Sequence, residues 1–166
     1  MNSDSPKPEI PAGIDQAIEL TLSHFKGVID KGGQPYILHC LRVMMSGADR
    51  DFQLVGLMHD LIEDTPVTLG ELRKKGFSEQ VVEAVACLTH HPEVSYTDYV
   101  CQLKKNDLAR RVKMADLLDN AALSRAPVRT GKEKEDISRL HKYLLSYQFL
   151  DSRISEAEYR NKMAAL

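Results

Sequence analysis

Apolar residues recur every three to four positions along nearly the whole chain, and no run of four or more strictly alternates apolar with polar. A 3.6-residue period builds helices with one buried stripe, whereas strands need a period of two. The expected fold is therefore all-α. Ile18, Leu22, Phe25 and Ile29 mark a first helix over Ile14 to Ile29, which Lys31-Gly32-Gly33-Gln34 breaks. Pro35 suits the first turn of a second helix, Tyr36 to Met45. Gly47-Ala48-Asp49 turns into a third, which Thr65-Pro66 stops. Thr68 with Glu71 has capping-box spacing and opens a short helix closed by Gly76, and Ser78 caps the next, through Leu88. Tyr96 to Lys104, Leu108 to Leu123 and Glu133 to Leu150 follow, Pro127 to Gly131 forms a polar loop, and Ser155 with Glu158 opens the last helix. The pattern predicts a single globular domain of about eight or nine helices over residues 13–166, behind a flexible lead-in over residues 1–12.

The 166 residues suffice to bury roughly 70% of the unfolded surface without staples. A formal charge of −2 gives no footprint for nucleic acid and no polybasic membrane patch. No stretch approaches the ~20 apolar residues of a membrane span. The opening MNSDSPKPEIPAG has three prolines and no apolar segment of a signal peptide. Cys40, Cys87 and Cys101 lack CxxC spacing and are expected to be reduced, mostly buried thiols of a cytoplasmic protein. Self-association into a homo-oligomer stays open.

The chemistry is concentrated in His59-Asp60-Leu61-Ile62-Glu63-Asp64. On one continuous helix, His59 and Glu63 are one turn apart, as are Asp60 and Asp64. Neighbouring acids at a helix C-terminus repel each other and the negative end of the macrodipole. A cation, or a reaction needing a base, relieves that conflict. The stretch reads as a metal site with catalytic acids, Glu63 and Asp64, beside it; the plain alternative is a helix ending in solvated charges. Divalent metals of phosphate chemistry favour imidazole, carboxylate and water. His59 and Asp60 offer two ligands. His39, on an apolar helix, is a third candidate or a satisfied core histidine. Asp116, inside an otherwise apolar helix, is a fourth, or is paired with Lys113 or Arg111. Asn120 and Lys113 each lie one turn from it.

The order Gly33-Gln34-Pro35-Tyr36-Ile37-Leu38-His39, His59-Asp60-Leu61-Ile62-Glu63-Asp64-Thr65 and Val112-Lys113-Met114-Ala115-Asp116-Leu117-Leu118-Asp119-Asn120 resembles the HD superfamily of metal-dependent phosphohydrolases. Within it the chain looks like the hydrolase domain of the RelA/SpoT alarmone enzymes and their small hydrolase-only relatives, over about residues 20 to 150. The resemblance implies one manganese ion held by His39, His59, Asp60 and Asp116, with Glu63 and Asp64 orienting and deprotonating water. It implies removal of pyrophosphate from the 3′ position of ppGpp or pppGpp, a small-molecule nucleotide. Lys113 and Arg111 become anion partners, Asn120 a nucleoside contact, and Arg139 with Tyr143 a pair approaching the nucleotide. Where relatives carry Arg-Lys, this chain has Asp30-Lys31. Lys31 matches. Asp30 cannot stack a guanidinium on a base, although it could accept hydrogen bonds from guanine, so the base stays open. His90-His91 replaces residues that are often basic, either as phosphate contacts or as a solvated loop. His24 and His141 show no partner. An HD phosphatase or nucleotidase for ppApp, NADPH or a nucleoside monophosphate remains the alternative, and a non-catalytic nucleotide sensor a third.

Overall fold

The computed structural model describes residues 12–125 and 128–166. Most of the expected lead-in therefore lies outside the described residues, as does Pro127 of the expected polar loop. Among them run ten helical segments: α1 (Ile14–Phe25), α2 (Ile37–Met45), α3 (Arg50–Met58), α4 (Leu61–Asp64), α5 (Leu69–Lys74), α6 (Glu79–Leu88), α7 (Tyr96–Leu103), α8 (Asp107–Ala121), α9 (Glu133–Leu150) and α10 (Glu156–Ala164). The fold is all-α as expected. The count exceeds nine because the helix expected to run through His59–Asp64 is two pieces, α3 and the single turn α4.

α3 is the central element. Phe52, Leu54, Val55, Gly56, Leu57 and Met58 are all buried, and the helix packs against α1, α2, α6 and α8. A helix that is apolar all round belongs inside a domain. Its start is fixed by Asp49, whose carboxylate accepts the Phe52 amide at 2.9 Å. The Thr68–Glu71 capping box forms in both directions, and Ser78 and Ser155 cap α6 and α10. Asn106 and Ser95 cap α8 and α7 in the same way.

α1 ends four residues earlier than its apolar stripe suggests. Gly27 takes φ +82°, a left-handed turn that stops the helix. Ile29 then leaves the stripe, pairs with Pro35 in an isolated bridge and is exposed. Asp30 N–H donates to the Gln34 carbonyl at 2.8 Å and Tyr36 N–H to the Val28 carbonyl at 2.9 Å, closing residues 26–35 into a tight loop. That loop forms one rim of the site. No helix among the described residues is long and apolar enough to cross a membrane. Cys40 and Cys101 are buried, Cys87 is partly so, and all three are free thiols. Burial pushes the Cys40 thiol up to about 12.

Candidate metal centre

α2, the α3–α4 junction and α8 each bring one part of the centre. His39 on α2, His59 just after α3 and Asp116 on α8 are buried, and one ligand atom from each lies within 4.8 Å of the others. His39 Nε2 stands 3.2 Å from His59 Nε2 and 3.2 Å from Asp116 Oδ1. The far side of each ring is already committed: His59 Nδ1 meets the Gly56 carbonyl at 2.8 Å, and His39 Nδ1 meets Asp119 Oδ2 at 2.6 Å. Both Nδ1 atoms face acceptors, which assigns the proton of each neutral ring to that nitrogen. With both rings neutral, the two Nε2 lone pairs face each other and a carboxylate oxygen. A divalent cation fits this donor set, because it satisfies all three atoms at once.

Asp60 is next to this cluster, its Oδ2 at 2.7 Å from His59 Nε2 and 3.9 Å from His39 Nε2. The Tyr36 hydroxyl donates to the same oxygen. Burial and then the Asp60 charge push the Tyr36 phenol far up, so it stays a donor. Burial opposes a charged His59, yet Asp60 and Asp116 outweigh it and hold the imidazole pKa well above its usual value. The same negative field favours any cation there. Asp116 is kept ionised against burial by Lys113, whose Nζ lies 2.8 Å from Oδ2, and by the two imidazoles. The Lys113 pairing weighed from sequence thus exists alongside the ligand geometry. Asn120 Nδ2 donates to Asp116 Oδ1 at 2.5 Å, which orients that carboxylate from within α8.

The cluster forms the floor of a cavity of about 700 Å³. His39, Asp60, Glu63, Asp64, Lys113, Asp116, Asn120, Lys31, Arg139 and Tyr143 all line it, with His59 buried beneath. The chain breaks helix at His59–Asp60, where Asp60 adopts φ −103° and ψ 1°. The expected stripes of one continuous helix are therefore replaced by a corner, which sends Glu63 and Asp64 to the exposed mouth. Burial, then the charges of Asp60 and Glu63, raises the Asp64 carboxyl. Glu63 Oε2 accepts the His90 amide at 2.8 Å. His90 also packs on Tyr99 and lines the cavity, whereas His91 is exposed. His24 Nδ1 lies 3.0 Å from the Leu20 carbonyl on α1, away from the cavity.

Two expectations change. Arg111 does not reach the cavity: it pairs with Asp49 and lies over the Phe52 ring. Asp30 is not a free acceptor for a base, because its Oδ1 takes the Gly32 and Gln34 amides at 2.8 and 2.9 Å and its Oδ2 takes Arg125 Nη2 at 2.5 Å. Arg125 lines the cavity instead. Sequence reasoning also gave Asp119, Arg42, Arg125 and Lys142 no role. Asp119 is three residues after Asp116, on nearly the same helix face, and that spacing was the available signal. Arg139 is seated by the buried Asp136, at 2.5 Å, which also takes Arg129.

No family model matches the chain. It is 31% identical over 102 residues to a guanosine-3′,5′-bis(diphosphate) 3′-pyrophosphohydrolase of Aquifex aeolicus, covering 54% of this chain and 14% of that protein. It is 29% identical over 143 residues to a GTP pyrophosphokinase of Streptomyces coelicolor, covering 78% of this chain and 17% of the relative. A probable enzyme of the first kind from Mycoplasma pneumoniae is 28% identical, covering 68% of this chain and 18% of its own length. The chain thus spans less than a fifth of each of these relatives. A solved structure described as a metazoan ortholog of SpoT that hydrolyses ppGpp shares the fold, with a TM-score of 0.64 at 18% identity over 88% of this chain and 96% of that one. The His39–His59–Asp116 cluster and these similarities together support a family-level link to the HD-superfamily hydrolases.

Proposed function

We propose that this protein is a manganese-dependent 3′-pyrophosphohydrolase of (p)ppGpp. The observation that carries the reading is one cavity in which a buried ligand cluster, an acidic pair and several cations face the same space. His39, His59, Asp60 and Asp116 would hold the ion. A bound divalent ion would supply Lewis-acid polarisation and a more acidic water. Glu63 and Asp64 sit beside that cluster and take the roles of orienting and deprotonating the attacking water. Burial and the charges of Asp60 and Glu63 push the Asp64 carboxyl up, which suits it to accept a proton. Water attacks the phosphorus next to the 3′ oxygen and the bond to that oxygen breaks. The proton returns to the leaving 3′-hydroxyl, so GDP or GTP and pyrophosphate result. Lys31, Lys113 and Arg139 contribute positive charge where phosphate charge must be neutralised. Asn120, which orients Asp116, and Tyr143 complete the nucleotide wall. Several cations around one cavity favour a multiply phosphorylated nucleotide over a monophosphate.

Purified protein with manganese should release pyrophosphate from ppGpp, and His59→Ala and Asp60→Ala should each reduce the rate by at least about 100-fold. Glu63→Gln with Asp64→Asn should retain metal binding and lose turnover. Robust hydrolysis by His59→Ala, or clear preference for a deoxynucleoside monophosphate, ppApp or NADPH in parallel assays, would overturn the reading.

A further inference from the structure

Most cations facing the cavity have an internal partner. Lys113 pairs with Asp116, Arg139 with Asp136, and Arg125 with both Asp30 and Asp119. Lys142 on α9 differs. It lines the cavity, half-buried, and among the described residues no carboxylate forms an ion pair with it. Its ammonium instead lies 4.3 Å above the Tyr96 ring centroid and 5.9 Å from that of Tyr143, so aromatic faces hold it in place. Burial, followed by repulsion from Lys113, Lys31 and Arg139, pulls its pKa down. No ion pair joins it to Asp60 or Asp116, whose partners among the described residues are His39, His59 and Lys113. A half-buried cation crowded by like charge is costly until an anion joins it.

From this arrangement we infer that Lys142 recognises the phosphate group of the nucleotide that is not attacked, the one on the 5′ side when the 3′ group lies at the metal cluster. The inference rests on the proposed function, and it names a residue that selects substrates bearing phosphate at two separate places. An ammonium ion held over aromatic rings offers point-charge recognition without a fixed fork, which suits a diphosphate or a triphosphate equally. Lys142 is therefore a specificity residue. It adds binding energy that ground state and transition state share, which appears in KM and not in kcat.

The test compares wild type, Lys142→Gln and Lys142→Arg, each first checked for an unchanged melting temperature. With ppGpp, Lys142→Gln should raise KM roughly tenfold and leave kcat within about twofold, while Lys142→Arg stays near wild type. With a guanosine 3′-diphosphate that carries a free 5′-hydroxyl, the same substitution should change KM little. A kcat loss shared by both substrates, or an unchanged KM for ppGpp, overturns the assignment. Equilibrium binding of GDP separates this inference from the reading beneath it, since GDP carries only the 5′ group and needs no turnover. GDP binding weakened about tenfold in Lys142→Gln supports the Lys142 site even if wild type fails to hydrolyse ppGpp, a failure that counts against the reading alone. Equal GDP affinity in the two proteins rejects the Lys142 site.

Discussion

Asp119 shows how much one side chain can organise. Its carboxylate accepts from Arg42 Nε at 2.6 Å and from the Arg125 guanidinium while it holds His39 Nδ1. Burial opposes its charge, but the hydrogen bonds from Arg42 and His39 keep its pKa below the ordinary value. An ionised acceptor behind an imidazole fixes the tautomer and raises the basicity of the opposite nitrogen. Asp119→Asn should therefore weaken manganese affinity by about 10–100-fold, as read by calorimetric titration. Affinity equal to wild type would mean that the ring needs no such support. His59, Asp60 and Asp116 could be picked out as candidate ligands in the sequence, because they are charged or polar groups inside apolar runs, which burial penalises unless something binds them. Asp119 was not. Its partner His39 is 80 residues away, and an acid near a helix end reads as solvated. Asp30 misled for the same reason, since the arginine that occupies it lies 95 residues on.

At the level of elements, α2 and α3 lie against each other so closely that a Cβ on Gly56 would stand 3.1 Å from both Cα and N of Met44. Those atoms belong to helix backbone and cannot turn aside. Alanine would gain about 1 kcal/mol of helix propensity at this position, and overpacking costs typically about 1–3 kcal/mol. Gly56→Ala should lose about 1 kcal/mol net, measured by urea unfolding. A gain in stability would show that the two helices part freely. The Gly56 carbonyl also receives His59 Nδ1, so the same spreading should reach the metal cluster. Helix starts were readable here because the caps are local: Thr68, Ser78 and Ser155 each serve an amide three residues on. The corner at His59–Asp60 was not. Leu57, Met58, Leu61 and Ile62 continue the apolar spacing straight across it, so periodicity carries no mark of the break.

For the whole molecule, the floor of the cavity is stabilised by whatever cation fills it. An ion present at 100 times its dissociation constant adds about 2.7 kcal/mol to the folded state. For a domain of this size, each kcal/mol moves the midpoint by roughly 2–4 °C. Saturating manganese should accordingly raise the melting temperature by roughly 5–10 °C over protein treated with chelator, and His59→Ala should erase most of the rise. A midpoint indifferent to metal in wild type would count against the cluster as an ion site. The all-α architecture was open to sequence reading because period alone sets it. Which distant helices meet was not, since that depends on surfaces pairing across the chain.

Arg125 gives the molecule a property that neither ligand set has alone. It grips Asp119 behind His39 and Asp30 at the base of the 26–35 loop, so one guanidinium ties the seat of the ion to the rim of the cavity. A nucleotide that drew the rim inward would pull on Asp119 behind His39, and an ion that fixed His39 would bear on the rim through the same guanidinium. Linkage would make any such exchange symmetrical: the factor by which nucleotide tightened metal would be the factor by which metal tightened nucleotide.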